Sequence, residues 1–171
     1  MLSTSNVLLR PWRDTDLSAL CDLRNDVMLQ RNMMSRARGS SLDATRDWLK
    51  RRTAEHYGML LIIVSPGDEE TVRGFIQLTA DGAISGSAML GICVSPSWHG
   101  TEVAADALAL VAQHARDVLC LRKIILEVLT TNDRAVAFYL KHDFREVGVL
   151  RNHFLWAGEW LDVTVMERLL V

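Results

Sequence analysis

Leu90-Gly91-Ile92-Cys93-Val94-Ser95-Pro96-Ser97-Trp98-His99-Gly100-Thr101-Glu102-Val103-Ala104-Ala105-Asp106-Ala107 reads as a strand, a loop and the start of a helix. The apolar run from Ala88 to Val94 has strand length, and Ser95-Pro96 stops it. Beyond Gly100, Ala104, Leu108, Val111, Ala115 and Val118 recur at helical spacing and predict one buried face. The loop from Ser95 to Gly100 therefore delivers a strand end to a helix N-terminus. Free backbone N–H groups and the helix dipole make such a junction a natural phosphate site.

Working outward, Val7 to Arg10 is a short strand stopped by Pro11. Asp14 or Thr15 offers an N-cap to a helix carrying Leu17, Leu20, Cys21, Arg24 and Val27. Gly39-Ser40-Ser41 breaks the chain, and a serine caps a second helix through Trp48 and Leu49. Met59–Val64 and Val72–Leu78 form a hairpin about the turn Ser65-Pro66-Gly67-Asp68, and Ala80 to Ser87 is a further turn. Downstream, Lys123–Val128 is a strand, Asn132 or Asp133 caps a short helix through Tyr139 and Leu140, and Phe144–Leu155 and Trp160–Leu169 are strands joined at Ala157-Gly158-Glu159. The order is one strand, two helices, an antiparallel meander, then β-α-β-α-β-β. It predicts an α/β fold, one domain over residues 1–171, with a mixed, mostly antiparallel central sheet and helices on both faces.

The chain has 171 residues, 49% hydrophobic and 23% charged, with 19 Lys+Arg against 21 Asp+Glu for a net charge of −2. That balance suits one globular domain with an adequate core and disfavours non-specific nucleic-acid binding. Cys21, Cys93 and Cys120 are too few and too widely spaced for a disulfide framework or a zinc site, so buried structural thiols and no metal are expected. The first residues carry neither a basic region nor an apolar one, and the longest apolar run, Met59 to Val64, is far too short to span a membrane. A cytoplasmic location is expected.

With Asn132-Asp133-Arg134-Ala135-Val136-Ala137-Phe138-Tyr139-Leu140-Lys141-His142-Asp143-Phe144, the opening stretch resembles the GNAT superfamily of acetyl-CoA-dependent N-acetyltransferases. Asn132, Ala135, Tyr139 and Phe144 match the family pattern N-x-x-A-x-x-x-Y-x-x-x-G-F. Leu8 to Trp12 with Asp14 and Asp16, Val147 to Arg151, and Gly158 to Asp162 are similar to the branch that acetylates ribosomal-protein N-termini. The resemblance implies the GNAT fold, acetyl-CoA as cosubstrate, and direct attack of an amine in a ternary complex. It implies that backbone N–H groups around Ile92 and Val94 hold the thioester carbonyl. His99, Gly100, Thr101, Val103 and Ala104 would cradle the pyrophosphate, and Asn132 would touch the pantetheine arm. Tyr139 would be the general acid, and Glu127 would be the general base acting through water. Packing beside Phe138, a plain N-cap and a solvated strand carboxylate are the ordinary explanations of Tyr139, Asn132 and Glu127. His142, His153, Glu159 and Asp162 are further base candidates.

Two residues depart from the family's Q/R-x-x-G-x-G/A loop. His99 stands at its first position and Glu102 replaces its first glycine. A carboxylate facing a pyrophosphate would weaken cosubstrate binding. That substitution motivates an alternative, a catalytically silent CoA-binding module. For an enzyme the acceptor is a protein N-terminal α-amine or a small-molecule amine. An amino-sugar nucleotide is the alternative that Arg31, Arg36 and Arg38 would suit, whereas a polyamine calls for an acidic pocket, which Glu127, Glu159 and Asp162 do not exclude. Met28, Met33 and Met34 would line an adaptable acceptor wall, with Trp156 and Trp160 near the acceptor mouth. A homodimer through edge strands is a further expectation.

Overall fold

The computed structural model describes residues 2–54, 58–80 and 86–170. The elements run β1 (Leu2–Ser3), β2 (Leu8–Arg10), α1 (Leu17–Asn25), α2 (Val27–Asn32), α3 (Leu42–Ala54), β3 (Gly58–Val64), β4 (Gly74–Ala80), β5 (Ser87–Val94), α4 (Val103–Asp117), β6 (Lys123–Leu129), α5 (Asp133–Lys141), β7 (Arg145–Trp156) and β8 (Glu159–Leu169). They form one eight-stranded sheet in the order β1-β2-β3-β4-β5-β6-β8-β7. Every neighbouring pair is antiparallel except β5 and β6, which the α4 crossover joins in parallel. The turn expected at Ala80 to Ser87 falls mostly outside the described residues.

Alternation along the strands divides the core between the two faces. Leu9, Ile76, Leu78, Leu90, Ile124, Leu126 and Val128 pack against Val103, Ala107, Leu108, Val111 and Ala115 of α4, with α5 partly buried beside them. Leu8, Leu60, Ile62, Phe75 and Cys93 pack on the other face against Leu17, Leu20 and Leu23 of α1, Leu29 of α2 and Leu49 of α3.

Four local expectations are corrected. The first helix is two, because Asp26 takes an extended conformation and its side chain accepts a hydrogen bond from Leu29 N–H, starting α2. Its entry is organised by Asp16 rather than Asp14 or Thr15. Asp16 is 1% exposed, accepts from the Arg13 N–H at 2.7 Å, and forms a bidentate pair with buried Arg10 at 2.8 Å on both arms. Val118 lies past the end of α4 and is 63% exposed, so it does not extend the buried stripe. Cys120 is exposed, in a turn with φ of +53° that lifts it from the core, while Cys21 and Cys93 are buried as expected.

Candidate active site

Strands β5 and β6 pair only from Ser87 to Met89, opposite Lys123 to Ile125. Beyond that, β5 stays with β4 as far as Val94 and β6 stays with β8 as far as Leu129, so the two diverge. The wedge between them opens into a cavity of about 500 Å³ that is lined from both faces of the sheet. Leu90, Ile92, Val94, Trp98 to Thr101, Ala104, Asn132, Ala135 and Tyr139 line it from the α4–α5 side. Leu29, Asn32, Met33, Met34, Gln77, Gly91, Cys93 and Glu127 line it from the α1–α3 side.

Backbone parity fixes which groups of β5 face the wedge. Ser95 donates its N–H to Arg73 O, toward β4, whereas Gly86 O accepts from Arg122 and Lys123, toward β6. N–H and C=O groups of alternate residues point to opposite sides of a strand. The N–H groups of Ile92 and Val94 therefore point toward the wedge, beyond the last pair that β5 makes with β6. Ile92 and Val94 are the two residues expected to hold a carbonyl oxygen.

The loop that follows is held by its own bonds. The Arg73 guanidinium lies 4.0 Å from the centre of the Trp98 ring. Thr101 Oγ1 donates to Trp98 O at 2.7 Å and accepts from Val103 N–H at 3.4 Å. Gly100 sits at φ +80° with nothing within 4 Å of an added Cβ, so glycine is required there by conformation and not by space. His99 Nε2 lies 2.8 Å from Val94 O. A carbonyl only accepts, so Nε2 carries the hydrogen. Val103 is 4% exposed in the core and does not line the cavity. Glu102 is exposed, has φ of −77°, and is also absent from the lining. An ordinary L-residue thus fits where the family pattern has glycine. An open strand edge, a glycine turn and the start of a fifteen-residue helix suit a long, phosphate-bearing thioester.

Helix α5 supplies the far wall. Asn132 is its N-cap, accepting from Ala135 N–H at 3.2 Å, and it also lines the cavity. Tyr139 lies between Phe138 (ring centres 5.3 Å apart) and Phe144 (5.5 Å), which fix the ring while one side of it lines the cavity. Burial pushes its hydroxyl up to about 12. On β6, Glu127 is exposed and on the opposite face from Leu126 and Val128, as strand alternation predicts.

The other base candidates lie apart. His142 stacks 4.4 Å from Phe138 and is lowered by burial and by Arg168 and Lys141. Asp162 is lowered by the Asn152 N–H and by Arg151, which reaches it at 2.6 Å. Neither lines the cavity, nor do His153 and Glu159. Met33 and Met34 line it, whereas Met28 is 60% exposed elsewhere. Trp156 borders a second cavity of about 480 Å³ with Val27 and Arg36, and Arg36 reaches Leu155 O at 3.5 Å. Trp160 is exposed. No group of three or more metal-ligating side chains occurs among the described residues. Sequence reasoning missed Gln77, Arg134 and Phe138 as lining residues. Gln77 carried a signal, being the single polar side chain within Phe75-Ile76-Gln77-Leu78.

Residues 6–145 match the family model described as Acetyltransferase (GNAT) domain. The chain belongs to the GNAT acetyltransferases. This GNAT protein is an acetyl-CoA-dependent N-acetyltransferase acting on amines. It is 24% identical over 166 residues to the spermidine N(1)-acetyltransferase of Escherichia coli (strain K12), covering 97% of this chain and 87% of that one. The spermidine N-acetyltransferase of Vibrio cholerae, solved with CoA and spermine, superposes with a TM-score of 0.88 at 23% identity, covering 97% of this chain and 96% of that one. These relatives are polyamine acetyltransferases and do not single out the ribosomal-protein branch that the terminal strands suggested. No helix among the described residues is long and apolar enough to cross a membrane.

Proposed function

We propose that the protein acetylates a small-molecule primary amine that enters from the α1–α3 face while acetyl-CoA lies on the α4–α5 face. The observation that carries this is the single cavity open through the sheet at the β5–β6 divergence. Two reactants on opposite faces meet at one strand edge, which favours direct attack over a covalent enzyme intermediate. The Ile92 and Val94 N–H groups hold the thioester oxygen as charge develops on it. The His99–Ala104 loop carries the pyrophosphate, with Gly100, Thr101 and the start of α4 as its backbone cradle. Val103 contributes packing and backbone, and Asn132 borders the pantetheine arm.

As the nitrogen–carbon bond forms and the carbon–sulfur bond breaks, the amine sheds a proton to water held by Glu127. Tyr139 faces the departing sulfur. Its hydroxyl, at about 12, is a weaker acid than an ordinary thiol at about 8.5. Transfer to the thiolate is uphill even after the bond has broken, so Tyr139 acts as a hydrogen-bond donor that stabilises the charge developing on the sulfur, and the thiolate takes its final proton from water.

Spermidine is the first acceptor to test, because the relatives named above act on it. A second reading has a specific observation behind it. Residues 27–41, which form α2 and the following loop, carry Arg31, Arg36 and Arg38 and no carboxylate. None of the three lines the cavity, but the positive charge they put on the segment beside it disfavours a polycation and suits an amine bearing an anionic group, such as an amino-sugar nucleotide. The test is a steady-state assay with acetyl-CoA and three acceptors: spermidine, a peptide with a free N-terminal alanine, and an amino-sugar nucleotide. Turnover of spermidine or the nucleotide supports a small-molecule acceptor and chooses between the readings. Turnover of the peptide alone overturns both.

A further inference from the structure

We propose that Arg24, Ser40 and Arg51, with Arg52 beside them, bind a phosphate group where the ends of α1 and α3 meet. None of these residues lines the catalytic cavity, so the site is separate from it and goes beyond the acetyl-transfer reading.

Arg24 carries the argument. It is half-buried in the last turn of α1, and its guanidinium lies 4.4 Å from the centre of the Trp48 ring on α3. Its Nε is buried with no hydrogen-bond partner. Nη2 donates to Ser40 Oγ at 3.4 Å, long for a charged donor. That leaves Nη1 and the outer side of Nη2 for a ligand. No carboxylate of the described residues meets Arg24, and the charges that act on it from α3 are the like charges of Arg51 and Arg52. Burial lowers its pKa, and the two arginines lower it further, with only the Cys21 thiol opposing.

A half-buried charge without a counter-charge is unfavourable. Arg10 shows how the same chain compensates a buried guanidinium, with both arms on Asp16. Arg24 has only a ring face, a hydroxyl and the C-terminal end of its own helix. Two more cations in the last turn of α3 then add repulsion. The arrangement is balanced once an anion sits among the three.

The geometry favours phosphate among anions. Its two negative charges and several acceptor oxygens match more than one guanidinium, where a carboxylate brings a single charge. The Trp48 ring backs the Arg24 guanidinium and leaves its edge to donate. Ser40 is set in place beforehand, because Asn25 Nδ2 donates to its carbonyl at 2.9 Å and Asn25 Oδ1 accepts from its N–H at 2.7 Å. Its hydroxyl hydrogen is free to turn to the ligand. The next residue after Asn25 is Asp26, which starts α2, and Leu29 of that helix lines the catalytic cavity. The site is thus adjacent to the acceptor wall without entering the cavity.

The test follows thermal unfolding as inorganic phosphate is added to about 20 mM. Potassium chloride at equal ionic strength is the reference, and CoA is present to occupy the loop before α4. For a Kd of about 1 mM, Tm should rise by about 4–7 °C above the reference. Arg24→Met keeps the packing on Trp48 without the charge. It should leave the phosphate-free Tm equal or higher and abolish the response. Arg51→Gln, at an exposed position, should fold like the parent and weaken the phosphate Kd about tenfold. A rise no greater than with chloride, or an equal rise in Arg24→Met, overturns the proposal. Should Arg24→Met fail to fold, an unchanged Kd in Arg51→Gln overturns it. A nucleoside diphosphate in place of phosphate separates two sources. A lower Kd than that of phosphate, lost in Arg24→Met, assigns the site to the phosphates of a nucleotide-bearing acceptor. An equal or higher Kd assigns it to the free anion. No turnover enters these measurements, so they stand whether or not the small-molecule acceptor reading holds.

Discussion

On the α4–α5 face the cavity is lined by alternate residues of β5 from Leu90 to Val94, the loop to Ala104, and Asn132 to Tyr139, and much of what they offer is backbone. On the α1–α3 face it is lined by side chains gathered from α2, the loop after it, β4, β5 and β6. The first face presents open N–H groups and a glycine turn, features that suit a cosubstrate of fixed shape. The second presents Met33, Met34, Gln77 and Glu127, whose identity can change without disturbing the ladder. A common cosubstrate is met by main chain and a variable acceptor by side chains. The two faces should therefore fail differently when perturbed.

The largest expected effect is on the acceptor face and on stability. Arg10 on β2 and Asp16 ahead of α1 form a buried bidentate pair, with Arg10 also donating to Glu69 O at 2.6 Å. Asp16→Asn leaves the guanidinium buried without its counter-charge, a loss of about 3–5 kcal/mol. Thermal unfolding should show Tm lower by about 10 °C. Below the transition, acetyl-CoA affinity should stay unchanged, because α1 does not touch the α4–α5 side of the cavity. A parallel loss of acetyl-CoA binding would break the separation of the two faces.

Next in size is Tyr139→Phe, which keeps both ring contacts and removes only the hydroxyl. The kcat should fall on the order of 10²-fold with acetyl-CoA affinity retained. A full-rate Tyr139→Phe would remove Tyr139 from the chemistry and leave it as core packing. The raised pKa adds a pH signature. At about 12 against an ordinary value of about 10, the folded protein keeps a proton that the unfolded chain loses. Nothing changes below pH 10, and stability declines as the pH rises from about 10 to about 12. Denaturant midpoints across that window should decline less steeply in Tyr139→Phe.

Glu127→Gln should cost about tenfold or somewhat more in kcat, since water and the amine's own ionisation still carry protons. Its effect should shrink as the pH rises and more amine is neutral. A constant defect across pH would make Glu127 a binding group instead of a proton acceptor.

These contrasts also explain what was legible in the sequence. The sheet, the helices on both faces, and the residues of the α4–α5 face were readable because each is encoded locally. A period-two run, a Ser-Pro stop, a Gly100 turn and the Asn132 to Phe144 block lie within a few residues of one another. Four details escaped for tertiary reasons. Asp26 ends one helix and starts another by a side-chain cap. Val118 and Cys120 continue an apolar pattern past the last helical turn. Val103 follows the loop pattern yet points into the core. Gln77 and Glu127 become neighbours in one row only through the register of three strands, and no spacing along the chain reports that. The acceptor remained open for the same reason, because its wall is assembled from distant segments.

The smallest effect is the sharpest check on the cosubstrate face. Glu102 replaces a family glycine, and a carboxylate aimed at a pyrophosphate would make Glu102→Gly tighten acetyl-CoA binding. The structure places Glu102 at the N-cap of α4 with φ of −77°, exposed and outside the cavity lining. Its conformation does not need glycine, and its charge lies at the positive end of the helix dipole, where it is worth about 0.3–1 kcal/mol. Glu102→Gly should therefore leave the calorimetric Kd for acetyl-CoA within about threefold and lower stability by about 0.5 kcal/mol. Tightening beyond tenfold would show that the carboxylate turns toward the phosphates when the cosubstrate binds. The cosubstrate face would then owe its affinity to a side chain as well, and the contrast with the acceptor face would weaken accordingly.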